Sequence, residues 1–100
     1  MKRRTVVFAP EARHDLLELG DWIAERAGAE TALNYIARLE AYCLGFEVSA
    51  ERGQRRDDVQ SGLRIIGFER RVTIAFTVTE AEVTILGLYY GGRNWPAAFS

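Results

Sequence analysis

The sequence predicts a two-layer α+β domain in which a helix hairpin packs on an antiparallel sheet, in the order strand–helix–helix–strand–strand–strand. Its first half contains two stretches in which apolar residues recur every three or four positions, as on one face of a helix. Its second half, beyond a charged connector, alternates apolar and polar residues as half-buried strands do. A chain of 100 residues supports one core, so we expect a single domain over residues 1–100.

The first strand and the first helix are predicted from residues 5–27. Residues 5–9 (TVVFA) form a β-branched and aromatic run that ends at Pro10, and proline suits the first position of a helix. Gly28 is expected to end this helix at about Ala27. The apolar stripe of the helix consists of Ala12, Leu16, Leu19 and Ile23.

A second helix is predicted immediately after Gly28, with its end near Val48. Because only about three residues join the two helices, we expect them to fold back on each other as an antiparallel hairpin. Each helix has a single apolar stripe, so both need a common surface that buries it. The stripe of the second helix consists of Ala32, Ile36, Leu39, Cys43 and Phe46.

Three strands are predicted beyond the charged connector of residues 50–61 (AERGQRRDDVQS). They cover residues 63–66, 71–78 and 83–90, and their short connections indicate an antiparallel meander. The last strand is apolar on both faces, as a central strand is. The helix hairpin is expected to cover one face of the sheet, and no further segment is predicted to cover the other.

Composition excludes several classes of function. Thirteen basic and fourteen acidic residues leave a net charge of -1, which argues against a general nucleic-acid coat protein. No apolar run approaches the roughly 20 residues that span a bilayer, so we expect a cytoplasmic protein that does not bind membranes. A single cysteine, Cys43, falls on a core stripe, and the only histidine, His14, is predicted to be a surface residue. We expect no cofactor, no metal site and no catalytic residue.

Arginines are concentrated in the second half of the chain. Residues 52–71 contain six arginines and three acidic residues, a local excess of +3. This stretch is either a solvated connector with an exposed strand edge or a basic patch at one end of the sheet that binds an acidic partner. The six arginines are Arg52, Arg55, Arg56, Arg64, Arg70 and Arg71.

Aromatic residues are concentrated near the C-terminus. Tyr89, Tyr90, Trp95 and Phe99 occur within eleven residues, beside Arg93. Residues of these types are typical anchors of protein–protein interfaces. The alternative is that Trp95 and Phe99 close the end of the core, and the sequence leaves both interpretations open.

Three segments together resemble the ParE toxins of the ParE/RelE superfamily, and the resemblance covers nearly the whole chain. Members of this family commonly end their last strand with a His-Gly-Arg-Arg-Asp-like run. Here Tyr90 stands at the histidine position and Gly92 at the first arginine, whereas Arg93 and Asn94 match the last two positions. The segments are residues 12–26, 53–64 and 83–95.

The resemblance implies one of two activities. RelE-like members are ribosome-dependent mRNA endoribonucleases that use basic residues on the sheet and a tyrosine near the C-terminus, whereas ParE-like members inhibit DNA gyrase. Arg64 falls near one of the RelE lysines and Arg93 on a RelE arginine. Ile66 and Thr73 stand at two other basic positions, and Phe99 falls near the tyrosine, for which Tyr89 or Tyr90 could substitute. The resemblance therefore favours a non-enzymatic gyrase inhibitor that blocks replication, with RNA cleavage as the alternative and a degenerate, non-toxic antitoxin binder as a third class.

The resemblance also implies partners and sites. A ParD-like antitoxin is expected to neutralise the toxin in a hetero-oligomer that serves plasmid stabilisation, and the toxin alone is not expected to bind nucleic acid sequence-specifically. The antitoxin tail is expected on the uncovered sheet face and the helix-hairpin groove. Its carboxylates are expected to contact Arg55, Arg56, Arg64, Arg70 and Arg71. Gyrase is expected to contact Arg93, Asn94, Trp95 and Phe99.

Overall fold

The computed structural model describes residues 3–91 and 95–99. The predicted two-layer α+β class is confirmed, because two helices pack on one sheet. The helices are α1 (Pro10–Ala27) and α2 (Ala29–Leu44), and 3₁₀ turns follow at Gly45–Glu47 and Trp95–Phe99. The strands are β1 (Thr5–Phe8), β2 (Gln54–Arg55), β3 (Leu63–Phe68), β4 (Val72–Val78) and β5 (Glu82–Tyr90).

The helix hairpin forms where the sequence predicts it. Pro10 begins α1, and Gly28, with a φ of 95°, separates the two helices in a conformation that favours glycine. The predicted stripe of α1 is buried in full. In α2, Tyr35 is buried where Ile36 was predicted, and Ile36 is half-buried. The helix ends at Leu44, and Phe46 enters the core from the 3₁₀ turn that follows.

The sheet has the strand order β1-β5-β4-β3-β2. The predicted antiparallel meander of β3, β4 and β5 is confirmed. Two features differ from the prediction of an antiparallel sheet. β1 lies parallel to β5, which makes the sheet mixed, and the connector contributes the two-residue edge strand β2. A long crossover through both helices allows the parallel pairing of β1 and β5.

The main core lies between the hairpin and one face of the sheet. Phe46 and Phe76 have ring centres 4.8 Å apart at its middle, and both are fully buried. The register places Ile74 opposite Leu88 and Phe76 opposite Ile85 on this helix-facing side. Leu86 is left without a partner between Ile85 and Gly87, so β5 contains a β-bulge there.

The other face of the sheet, here called the distal face, is partly covered, contrary to the prediction. Leu63 and Ala75 lie on this face and are fully buried. The 3₁₀ turn Trp95–Phe99 lies against this face, and Phe99 lines one cavity together with Tyr89 of β5. The aperiodic tail therefore supplies the cover that periodicity did not predict.

Candidate functional site

The aromatic tail forms a cluster on the distal face. The Phe99 ring meets the rings of Tyr89 and Trp95 nearly edge-on, with centres 6.4 Å apart in each pair. The Arg56 guanidinium lies 5.1 Å from the centre of the Trp95 ring. Trp95 and Phe99 are half-buried, so they close this face and also present apolar surface to solvent. The other two residues of the predicted gyrase site, Arg93 and Asn94, lie outside the described residues.

Gly87 positions the Tyr89 ring in this cluster. The two residues are two positions apart on β5 and therefore face the same side of the sheet. A methyl group on Gly87 would overlap the Tyr89 hydroxyl and ring. The glycine thus allows the ring to lie back along the strand, where Phe99 meets it. A glycine inside an otherwise apolar strand was the sequence signal for this close approach.

The arginines near β2 are held by neighbouring groups. Arg55 pairs with Asp57 at 3.2 Å, and Arg56 donates two hydrogen bonds of 2.9 Å to Asp58. Arg64 donates to the Arg52 carbonyl oxygen at 3.3 Å. These side chains therefore combine positive charge with fixed geometry, although Arg55 and Arg56 are already paired with aspartates.

Hydrogen bonds in this loop lower the pKa of its two aspartates. The Gly62 amide donates a hydrogen bond of 2.8 Å to Asp57, which, together with Arg55, holds the pKa of Asp57 below its usual range. Hydrogen bonds from Arg56 lower the pKa of Asp58 in the same way. Both aspartates are therefore ionised near neutral pH, and they close the loop between β2 and β3.

Arg70 and Arg71 lie at the other end of β3, in the turn that leads to β4. Phe68 lies four residue steps along the extended strand from Arg64, or roughly 13 Å, and Arg70 lies beyond that point. The five arginines predicted to bind an antitoxin therefore form two groups rather than one patch at one end of the sheet. These arginines are close in sequence, but the extended strand β3 separates the residues at its start from those after its end. Their role in antitoxin binding stays a prediction.

A cavity of about 470 Å³ lies beside this turn. We call it the turn-end cavity, and sequence reasoning missed it because its lining comes from both helices, the β3–β4 turn and the end of β5. Trp22 lies outside the buried stripe of α1, and its ring centre lies 4.5 Å from that of Tyr90. The residues that define the cavity are Trp22, Arg26, Tyr35, Arg38, Glu69, Arg71 and Tyr90.

An apolar groove of about 530 Å³ runs along the outer side of the helix hairpin. Leu17 from α1 and Leu33 from α2 line it, and each side chain is 72% exposed. Gly20 and Ala24 form part of its wall, so the groove is shallow and open to a helix-sized partner. Exposed leucines rimmed by charged residues are a feature of protein-binding surfaces.

The residues considered for chemistry are dispersed. His14 is exposed on α1 and lies 3.1 Å from Glu18. Cys43 is fully buried, and burial raises the pKa of its thiol to about 12. Arg64 lies opposite Phe76 on the helix-facing side, whereas Tyr89 lies opposite Thr73 on the distal face. Within residues 3–91 and 95–99, no group of three metal-ligating side chains occurs.

A membrane-spanning helix is likewise missing from the described part of the chain, since neither α1 nor α2 combines the necessary length with the necessary apolar character.

These features describe a small two-layer α+β domain with exposed apolar and arginine-bearing surfaces. The sequence model for the family described as "ParE toxin of type II toxin-antitoxin system, parDE" matches residues 6–95. The chain therefore belongs to the ParE toxin family of type II toxin–antitoxin systems, which confirms the resemblance.

Solved structures share the fold. A chain of a chromosomal ParDE system from P. aeruginosa has a TM-score of 0.77 at 22% identity, over 88% of this chain and 96% of that one. A chain of the RelBE2 toxin–antitoxin complex from Mycobacterium tuberculosis has a TM-score of 0.65 at 19% identity, over 93% of this chain and 97% of that one. No curated protein matches the sequence. At these identities the structural likeness concerns the fold alone.

Proposed function

We propose that this protein is a non-enzymatic toxin that inhibits DNA gyrase in the cytoplasm and so blocks replication, and that a ParD-like antitoxin neutralises it. The observation that carries the proposal is the match of residues 6–95 to the ParE toxin family. The solved structures with the same fold come from toxin–antitoxin systems, which is consistent with an antitoxin partner.

The positions of the candidate chemical groups favour binding over RNA cleavage. Cleavage at a 2′-hydroxyl needs a base, an acid and a cation around one phosphodiester. Arg64 and Tyr89 lie on opposite faces of the sheet, so they do not face the same phosphate. Tyr90 shares the face of Arg64, but their partners on β4, Val72 and Phe76, are four residues apart, or roughly 13 Å. Phe99 has no proton to transfer, and His14 lies on α1, exposed to solvent.

The proposed gyrase surface is the C-terminal stretch, with Arg93, Asn94, Trp95 and Phe99. Trp95 and Phe99 are held by Tyr89 and by the Arg56 guanidinium, so their rings have little conformational freedom left to lose on binding. Rings of this kind beside an arginine are what interface hot spots consist of.

The proposed antitoxin surface is the outer groove of the helix hairpin together with the arginines of the sheet ends. An amphipathic helix of the antitoxin would place its apolar side on Leu17 and Leu33. The carboxylates of its flanking segment would reach Arg55, Arg56, Arg64, Arg70 and Arg71. Disordered acidic segments that fold on binding use such surfaces, since they can wrap around separate sites.

A test with purified components distinguishes the two activities. We expect the protein to inhibit supercoiling of relaxed plasmid DNA by gyrase and to leave mRNA on translating ribosomes intact. A ParD-like antitoxin should restore supercoiling. Cleavage of mRNA without any effect on supercoiling would establish the ribonuclease instead, and the absence of both activities would identify a degenerate antitoxin binder.

A matched pair of double variants locates the gyrase surface. Arg93→Ala with Trp95→Ala should abolish most of the inhibition and leave antitoxin binding intact. Arg26→Ala with Trp22→Ala serves as the control, because it removes the same two residue types on the helix-facing side, where Arg26 lies 4.1 Å from the centre of the Trp22 ring. Equal loss of inhibition in both double variants would contradict the proposed surface.

A further inference from the structure

Tyr35, a buried tyrosine, lines the turn-end cavity. Tyr35 is only 8% exposed, and its hydroxyl oxygen has no hydrogen-bond partner among the described residues. Burial is also the main reason why the pKa of Tyr35 is raised. Native proteins rarely leave a buried hydroxyl unpaired, because the group loses its bonds to water and gains nothing in return. A ligand that accepts a hydrogen bond here would supply the missing partner.

The three arginines around this hydroxyl differ in how free they are to bind a ligand. Arg38 holds the Glu69 carboxylate with hydrogen bonds of 2.9 and 3.1 Å, and its guanidinium lies 5.2 Å from the centre of the Tyr35 ring. Arg26 is stacked on Trp22. Arg71 is exposed and makes no side-chain hydrogen bond or ion pair with the residues that the structure describes, although it is near enough to lower the pKa of Glu69. Arg71 is therefore the cation most available to a ligand.

We propose that the turn-end cavity binds a carboxylate of a peptide partner, with the Arg71 guanidinium and the Tyr35 hydroxyl as donors and the Trp22 and Tyr90 rings as the wall for an adjoining apolar side chain. The proposal rests on the proposed function in naming its natural ligand, which would be an acidic residue of the antitoxin tail. The exposed arginines at the rim are long and can turn aside to admit the carboxylate.

The same donors suit any oxyanion, and the surroundings favour a carboxylate. Glu69 lies beside Arg38 and Arg71 and repels a doubly charged phosphate more than a singly charged carboxylate. The aromatic wall of Trp22 and Tyr90 suits a ligand that carries an apolar side chain next to its charge. A peptide offers both groups, whereas inorganic phosphate offers only the charge.

The test is a titration of ¹⁵N-labelled protein with N-acetyl-Leu-Asp-Leu amide, with the Asn peptide as the neutral control and inorganic phosphate as the other source of oxyanion. The two tryptophans give two indole signals, so Trp95 on the distal face serves as an internal control. We expect the Asp peptide to shift the Trp22 signal and not that of Trp95. It should bind about tenfold more tightly than the Asn peptide, because charge-assisted hydrogen bonds are lost with the charge.

Three variants complete the test. Arg71→Gln should weaken the Asp peptide about tenfold, and Tyr35→Phe about threefold or more. Arg3→Gln, at an exposed arginine before β1 that does not line the cavity and is not part of the proposed antitoxin surface, should leave affinity unchanged. Tyr35→Phe should also leave the thermal midpoint unchanged or raise it, since the hydroxyl it removes has no hydrogen-bond partner in the described part of the chain.

Several results would overturn the proposal. They are equal shifts with the Asp and Asn peptides, tighter binding of phosphate than of the Asp peptide, equal weakening by Arg3→Gln and Arg71→Gln, or a loss of stability in Tyr35→Phe. The titration uses neither gyrase nor ribosomes. Its failure is therefore distinguishable from failure of the proposed gyrase inhibition.

Discussion

Removal of the Asp15 carboxylate is expected to loosen the contact between α1 and β5. β1 ends at Phe8, opposite Ile85, so among the described residues no strand pairs with this edge of β5 beyond that point. There the Asp15 carboxylate accepts a hydrogen bond of 3.0 Å from the Leu88 amide. A side chain of α1 thus takes the place of the missing strand, immediately after the β-bulge.

The expected loss of stability follows from the type of hydrogen bond that Asp15 accepts. A hydrogen bond to a charged group contributes about 1.5–3 kcal/mol, and the half-buried site leaves the Leu88 amide without a good substitute. Replacement by alanine gains about 0.5 kcal/mol of helix propensity, which offsets part of this loss. Asp15→Ala should therefore lower the free energy of unfolding by about 1–2 kcal/mol, or the thermal midpoint by about 5–15 °C for a domain of this size.

Asp21→Ala is the matched control. Asp21 is an exposed aspartate on the same helix, and it makes no hydrogen bond or ion pair with the residues that the structure describes. The gain in helix propensity is the same in both variants, so it cancels when their free energies of unfolding in urea are compared. Hydrogen exchange of the Leu88 amide reports the loss of its hydrogen bond directly. Equal stabilities of the two variants, within about 0.5 kcal/mol, would refute the assigned role of Asp15.

Three further predictions concern single residues. Gly53→Ala should destabilise the protein by about 1–2 kcal/mol or more in urea unfolding, because Gly53 has a φ of 77° and a methyl group there would overlap the Ile65 carbonyl oxygen. Cys43 should not react with a thiol reagent at pH 8 in the native protein and should react fully in guanidinium, since burial raises its pKa to about 12. The lowered pKa of Asp57 in the folded state means that its contribution to stability is present above its unfolded-state pKa and is lost as pH falls through the folded value. The drop in urea midpoint between pH 6 and pH 3 should therefore be smaller in Asp57→Ala, which lacks the bond to Gly62, than in the wild type.

The parts of the fold that were predictable have a local period. The stripe of α1 recurs at helical spacing, and the alternation in residues 72–78 fixes which side chains of β4 face the helices. Pairing between distant segments has no such signature. The parallel contact of β1 with β5 depends on the path of the chain through both helices. β2 is two exposed residues long, too short to show a period.

The candidate sites were less predictable, because side chains from distant segments form them. Tyr35 is buried where the sequence predicted Ile36, and only the structure shows that its hydroxyl has no hydrogen-bond partner among the described residues. The aromatic tail was identified from composition, and the structure combines its two interpretations. Trp95 and Phe99 cover part of the sheet and remain half exposed.

The net charge of -1 conceals how unequally the arginines are available to an acidic partner. A carboxylate that binds Arg55 must displace Asp57, so the net gain is the difference between two similar surface ion pairs, each of which contributes about 0–1 kcal/mol. A carboxylate that binds Arg71 displaces no ion pair of the described residues and also reaches the Tyr35 hydroxyl. The local excess of arginine in residues 52–71 is therefore a poor measure of binding strength. An acidic partner should gain most at the turn-end cavity, at the opposite end of β3 from the densest run of arginines.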